Sequence, residues 1–532
     1  MVARRLTRRS LLAATAGAMA GGVMRPGGAL AALAGPPRPR LADRWIGRLA
    51  PGVSTIELGR VADLVGVEWQ HQAAESLQLR FREESGRWSP WVSAAGHGHG
   101  PEAEPATGRD IGEPIWTGGA TAVQLRVGLE LLGARLHLID VSDGLGARRA
   151  ALARGPLALA AALPAATPVL DAGAGQPPIL ARRGWAQGVS HPKVAPEYGD
   201  VLMAFVHHTE NPNGYSAGEV PAMLRAIYAF HRYVNGWNDI GYNFAIDLYG
   251  RVFEARAGGI DEPVVGAHAG GYNLVSSGVA VLGSFMSVPI SSPARSALER
   301  LLAWKLALHG APSQGRVTVK VNPAGAVYSR FPANAHVALP RIAGHRDGDS
   351  TDCPGNVLYG ELGGIRSTVA RLAPRPVRAT LALSTAPAPA PGPAGTPAVP
   401  GTPAPGTPAP GTPAAPGAPA EAVAPIPTLA GSLTFLDGTP IAGAKILLQV
   451  RSTARRGELV SEQTISEVLT DEQGQWTLPT ALPNAPVGQS WLRALCMGAS
   501  GYGAAVSPPL RASLTAAEAP APTPPAAAPP AA

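Results

Sequence analysis

Cysteine is almost missing from this chain: there are two, Cys353 and Cys496, in 532 residues. That excludes a disulfide-built scaffold, which needs many closely spaced pairs. A Pro-rich stretch separates the two cysteines, so two free or liganded thiols are expected rather than one bridge. Past the N-terminal leader, no segment has the ~20 uninterrupted apolar residues of a membrane-spanning helix. Basic residues are not clustered either. Residues 1–34 hold Arg4, Arg5, Arg8, Arg9 and Arg25 and no acid, so +7 minus these five leaves +2 for the remainder. With no Lys/Arg patch, nucleic acid is not an expected partner. Nothing in the sequence points to an oligomeric state.

Glycine (64) and proline (55) are abundant, and they cluster. The start, "MVARRLTRRSLLAATAGAMAGGVM", has a basic beginning, a short apolar run and a small-residue cleavage signal at Ala32–Ala34. It reads as a signal peptide over 1–34, and "TRRSLL" resembles a twin-arginine export signal. A secreted or cell-wall-associated bacterial protein is therefore expected. Residues 143–176 read as an Ala/Pro/Gly linker. Residues 375–428, with their repeated "PGTPA", read as an extended Pro-rich linker. Residues 514–532 read as a disordered Ala/Pro tail.

Three folded regions are expected between these segments. Residues 45–142 carry short alternating runs ("STIELGR", "LVGVEWQ", "SLQLRFRE", "TAVQLRVGL", "ARLHLIDV") and read as a β-rich accessory domain resembling a sandwich. Trp69, Trp88, Trp91 and Trp116 are read as packing residues rather than a glycan-binding face. "HGHG" at 97–100 reads as a loop without metal-ligand company. Residues 429–513 read as a small β-sandwich with turns at "DGTP" and "DEQGQ".

Residues 177–374 interleave helices with strands and read as a central α/β domain, a mixed sheet flanked by helices. One helix begins at a capping box, Ser216-x-x-Glu219, and ends at Asn235-Gly236. Another begins at Ser292-Pro293 and ends at Gly310, burying Leu298, Leu301, Leu302 and Leu308, with Lys305 expected to snorkel. "VLMAFVHH" is a buried strand ending in His207 and His208. "NFAIDLYGRVFEAR" is a hairpin turning at Tyr249-Gly250.

The stretch "AGHRDGDSTDCPG", 343–355, is too polar for core yet holds one of the two cysteines. His345 and Cys353 in a His-x7-Cys spacing, with one histidine of the pair His207–His208 on a strand end, would supply the three protein ligands of a catalytic zinc site. A fourth position is then left for water. The spacing alone has no unique meaning.

The ordered blocks "FVHHT", "GWNDIGYNFAID", "GRVFEAR", "GAHAGGYN", "SSGVAVLGSF" and "GHRDGDSTDCPG" resemble the peptidoglycan recognition protein and type-2 N-acetylmuramoyl-L-alanine amidase family, to which phage T7 lysozyme is related. The resemblance covers about residues 177–372. It implies an exported zinc enzyme that hydrolyses the amide between MurNAc and L-Ala of peptidoglycan. It implies His207, His345 and Cys353 as zinc ligands and Tyr242 as the catalytic tyrosine. Thr351 stands where one branch of the family has lysine and others threonine, and is expected to be a weaker hydrogen-bond donor. His268, Arg256 and Asn273 lie in blocks that line the family's substrate groove. His208, next to a ligand on a strand, is expected on the opposite face in a structural role. The alternatives are a non-catalytic peptidoglycan-binding protein, or a cell-surface structural protein in which the flanking domains matter most.

Overall fold

The computed structural model describes residues 38–70, 77–83, 85–94, 100, 109–141, 175–384, 428–453, 459–482, 486 and 488–516. The expected signal peptide, nearly all of the 143–176 linker, most of the Pro-rich linker and the expected tail from 517 on lie outside the described residues. So does "HGHG", apart from Gly100.

The first β-rich region folds as one antiparallel sheet of seven strands: β1 (Arg40–Leu49), β2 (Gly52–Gln70), β3 (Gln78–Phe81), β4 (Val92–Ser93), β5 (Arg109–Ile111), β6 (Ile115–Val127) and β7 (Leu131–Asp140). The alternation seen in the sequence implied a two-sheet sandwich. The long β2 instead carries β6 along most of its length and β7 beside Leu64–Glu68. Register shifts between Glu57 and Leu64 mark where the β2–β6 pairing is irregular. Val65, Val67, Trp69, Leu79, Leu125 and Leu136 form its core. Trp69 and Trp116 are buried. Trp91 is half-buried, with Arg80 and Arg126 over its ring at 4.5 and 4.1 Å.

The central region supplies β8 (Ile179–Leu180), α1 (Arg182–Ala186), β9 (Met203–His208), α2 (Val220–Ala229), β10 (Phe244–Ile246), β11 (Val252–Glu254), β12 (Ser276–Val281), α3 (Ser292–Leu308), the hairpin β13 (Arg316–Lys320) and β14 (His336–Pro340), β15 (Ile342–Gly344) and α4 (Asn356–Leu372). Its six-stranded sheet runs β15-β9-β12-β10-β11-β8. The β10–β11 pair is antiparallel, as its hairpin turn requires, and the other neighbours are parallel. The sheet is mixed and lies between helices, with α3 and α4 on one face and α2 on the other.

The helix ends follow the chemistry of their caps with small shifts. Glu219 Oε2 accepts from the Ser216 amide and hydroxyl, both at 2.8 Å, and α2 starts at the next residue. Ser291 rather than Ser292 caps α3, accepting from the Ala294 amide at 3.3 Å. Leu298, Leu301, Leu302 and Leu308 are buried, each contributing roughly 1.5–3 kcal/mol. Lys305 does not snorkel. It is buried and donates to the carbonyls of Ile260 (2.8 Å) and Glu262 (2.7 Å).

The last region begins earlier than its composition suggests. β16 (Val377–Ala379) and β17 (Ala382–Ser384), in the segment read as linker, pair with β18 (Thr428–Phe435) across the Pro-rich stretch. β21 (Gln475–Pro479) completes that four-stranded sheet. The second sheet holds β19 (Lys445–Thr453), β20 (Leu459–Leu469), β22 (Ala481–Leu482), β23 (Gly488–Cys496), β24 (Ala505–Val506) and β25 (Leu510–Ala516). Leu433, Ile446, Leu448, Trp476 and Leu492 pack together in this region's core. Cys353 and Cys496 are both free and both buried.

Candidate metal centre

Two neighbouring parallel strands bring the two histidines together. Gly344 at the end of β15 is in register with Val206 of β9. The next residues along each strand are therefore His345 and His207, at the carboxyl ends where open α/β sheets place their sites. Strand alternation then separates the adjacent histidines. His207 shares a face with Phe205 and Met203. His208 points the other way, where its Nε2 pairs with Glu210 at 2.8 Å and its Nδ1 accepts from the Phe285 amide at 3.4 Å.

Cys353 is brought in by the loop after His345. The chain makes a 3-10 turn at His345–Asp347, and Asp347 Oδ2 accepts from the Gly344 amide at 2.9 Å. Arg346 donates its backbone N–H to the Cys353 carbonyl at 3.0 Å, and its guanidinium to Asn356 Oδ1 at 2.8 Å. Gly355, at φ +92°, closes the loop where a Cβ would stand 2.4 Å from the Phe285 backbone.

The ligand atoms of His207, His345 and Cys353 lie within 4.8 Å of one another, and all three side chains are buried. His207 Nδ1 is 3.7 Å from Cys353 Sγ. Its Nε2 meets His268 Nδ1 at 3.2 Å. His345 Nε2 bonds Asp349 Oδ2 at 2.9 Å, which leaves Nδ1 as the ring nitrogen to bind a metal. Metal-bound imidazoles are usually held this way, by a bond to the other ring nitrogen. The Cys353 sulfur accepts from the His208 amide at 3.4 Å. Burial pushes the Cys353 thiol well above its ordinary range, more than that N–H lowers it. Soft and imidazole donors in this number fit zinc.

Tyr242 precedes β10, and its ring centroid is 5.4 Å from that of His207. Burial raises its hydroxyl well above the ordinary tyrosine value, and the charge of Glu113 adds to the effect. It is therefore a proton-bearing donor at neutral pH. His231 fixes the approach to it: its Nδ1 accepts from the Gly241 amide at 3.1 Å and its ring stacks on Trp237 at 4.5 Å.

Thr351 Oγ1 accepts from the Cys353 amide at 3.1 Å, so it shapes the ligand loop. His268 lies against His207, and Gly266 and Gly278 make room for it: a Cβ at either would stand under 2.5 Å from its ring. Asn273 Oδ1 accepts from the His268 and Ala269 amides, at 2.8 and 3.1 Å. Arg256 Nη1 donates to the Ile240 carbonyl at 2.9 Å, and burial lowers its pKa. The structure thus gathers His207, His345, Cys353, Tyr242 and His268 closely. Asn273 holds the backbone of His268, while Arg256 braces the Ile240–Tyr242 segment.

Sequence reading missed Asp349, His231 and Glu113. An acid four residues after a candidate ligand histidine is a usable signal for Asp349. Nothing local marks Glu113 of the first β-rich region, whose charge acts on Tyr242.

The fold and the cluster define an α/β amidase-type domain. The family described as N-acetylmuramoyl-L-alanine amidase matches residues 197–356. A second family, described as Rv3811 N-terminal galactose-binding domain-like, matches residues 44–151. Peptidoglycan-recognition protein SC2 of Drosophila simulans is 30% identical over 159 residues, covering 30% of this chain and 71% of that protein. A human N-acetylmuramoyl-L-alanine amidase is 29% identical over 177 residues, covering 33% of this chain and 26% of its own length. The structure of Drosophila PGRP-LB is 26% identical, covering 35% of this chain and 92% of that one, with a TM-score of 0.27. The chain belongs to the peptidoglycan recognition protein and type-2 amidase family.

Proposed function

We propose that this chain is an exported, zinc-dependent N-acetylmuramoyl-L-alanine amidase that cleaves the amide between MurNAc and the L-Ala of the peptide stem. The observation that carries this reading is the buried set His207, His345 and Cys353, its ligand atoms within 4.8 Å, with Tyr242 beside it. His207, His345 and Cys353 would hold the zinc, which would supply a water of lowered pKa (~7) and a Lewis acid for the carbonyl.

The chain's own residues do the rest. Two neutral imidazoles and one thiolate would leave the divalent ion a net charge of about +1. Asp349 and His268 hold the imidazole rings in orientation. The Tyr242 hydroxyl, kept protonated by burial, donates to the oxygen that gains charge as the amide is attacked. Such donors are worth about 2.7–4 kcal/mol of barrier. Thr351 steadies the ligand cysteine through its amide. Arg256, His268 and Asn273 are proposed to line the path of the peptide stem once that path is open.

The domain layout is part of the same proposal: a leader over 1–34, an accessory β unit over 45–142, the amidase unit over 177–374, and a C-terminal β unit joined across the Pro-rich segment. The test is turnover of a defined muropeptide by the wild type and by Cys353→Ser, with zinc measured in both. The reading expects zinc and release of free peptide stems from the wild type alone. Equal turnover in the two sinks the mechanism. Binding of peptidoglycan without release of stems makes the protein a recognition module.

A further inference from the structure

The side chains of the candidate metal centre are almost wholly shielded from solvent. Exposures are 0% for His207 and His345 and 3% for Cys353 and Tyr242. The substrate of the proposed reaction is a peptide hung on a long glycan, which cannot enter a closed interior. The N-terminal β unit packs against α2 and against segments next to these residues.

Two hydrogen bonds tie that unit to segments flanking the site. Asn211, four residues beyond His207, accepts from the Trp116 amide at 2.6 Å. Asn273, which holds the His268 backbone, donates to the Gly100 carbonyl at 2.9 Å. Glu113, three residues before Trp116, is buried, and its charge acts on both Tyr242 and Cys353. The anchor is apolar: Leu64, Trp116, Ile139 and Val141 join the α2 cluster of Leu224, Ile227 and Phe230. At its centre Gly66 lies so near Phe230 that a Cβ would stand 2.1 Å from the ring. Beside the anchor the seam is not filled. A cavity of about 760 Å³ runs between Trp91 and Trp116–Ala120 on one side and Asn213–Tyr215 on the other.

We propose that the N-terminal β unit is an autoinhibitory cap, docked on α2 so that it shuts the approach to His207, His345 and Cys353, and that a peptidoglycan strand reaches them only when the cap lifts. The need for a strand to enter rests on the amidase reading. The closure itself does not. An apolar anchor suits a cap, because its contacts are non-directional; beside it the charge of Asp63 on β2 acts on Arg225 of α2.

The test uses full-length, metal-free protein and the rate of Cys353 alkylation by iodoacetamide, read by peptide mass. Buried Cys496 of the C-terminal unit is the internal reference. Gly66→Leu drives a side chain into Phe230 and should raise Cys353 labelling at least tenfold while Cys496 stays slow. A folded Gly66→Leu protein with unchanged Cys353 labelling overturns the proposal. Hydrogen exchange on the wild type decides the matter if that variant does not fold. The Trp116 amide should lose protection when soluble peptidoglycan strands are added, and protection that persists with strands bound overturns the cap. A protein that opens on strands and cleaves nothing refutes the amidase reading and leaves the cap in place.

Discussion

The central unit buries two polar clusters, and they are built on opposite principles. Asp261 and Glu262 meet Arg451 and Arg493 of the C-terminal unit, with Lys305 close by. Their charges answer one another. The arginines hold the Asp261 carboxyl well below the usual carboxylate range, although burial alone would raise it. Burial pushes Lys305 down to about 7, so at neutral pH much of the surplus positive charge is gone. His207, His345 and Cys353 differ: two imidazoles and a thiol converge on a point, with Asp349 holding the other ring nitrogen of His345. The first cluster joins two units; the second gathers a donor set that could hold a metal ion.

Breaking the balanced cluster should have the largest effect on stability. Arg493→Ala leaves Asp261 buried with less compensation and should cost about 3–5 kcal/mol, read as a lowered denaturation midpoint. At the metal cluster, Tyr242→Phe removes a donor without removing a ligand. It should lower kcat by about 10²–10³ with zinc content unchanged. Asp349→Ala frees the His345 ring and should weaken zinc binding or activity about 10–100-fold, measured by competition with a chelator.

The smallest effect is a slope. The pKa of Lys305 is lower in the folded chain (about 7) than in the unfolded chain, where the ordinary value is 10.5. Between these values the unfolded chain binds more protons, so this group makes stability rise with pH across that window. Lys305→Met should flatten the rise, even though it leaves the carbonyls of Ile260 and Glu262 without their donor. A slope unchanged by the substitution would show that Lys305 does not titrate there.

The two clusters also differ in how far they can be read from sequence. His207, His345 and Cys353 sit in short blocks that resemble the family's ordered motifs, and that resemblance, more than their spacing, marks them as candidate metal donors. The helices were legible from Ser216, Glu219 and Gly310, because caps are local chemistry. The ionic cluster is not local. Arg493 lies 232 residues from Asp261, in a separate unit, and no pattern near either announces the other. Lys305 looked like a snorkelling residue because its partners are backbone carbonyls far along the chain. The same limit hid β16 and β17, whose pairing partner lies beyond the Pro-rich stretch, and Glu113, which acts on a site in the next unit.

The central claim is that the cluster of His207, His345 and Cys353 is a zinc site with one sulfur and two imidazole ligands. X-ray absorption at the zinc edge of the loaded full-length protein tests it most directly. The account predicts one sulfur near ~2.3 Å and nitrogen or oxygen neighbours near ~2.0–2.1 Å, with the sulfur lost in Cys353→Ser. A wild-type spectrum with no sulfur contribution would contradict it.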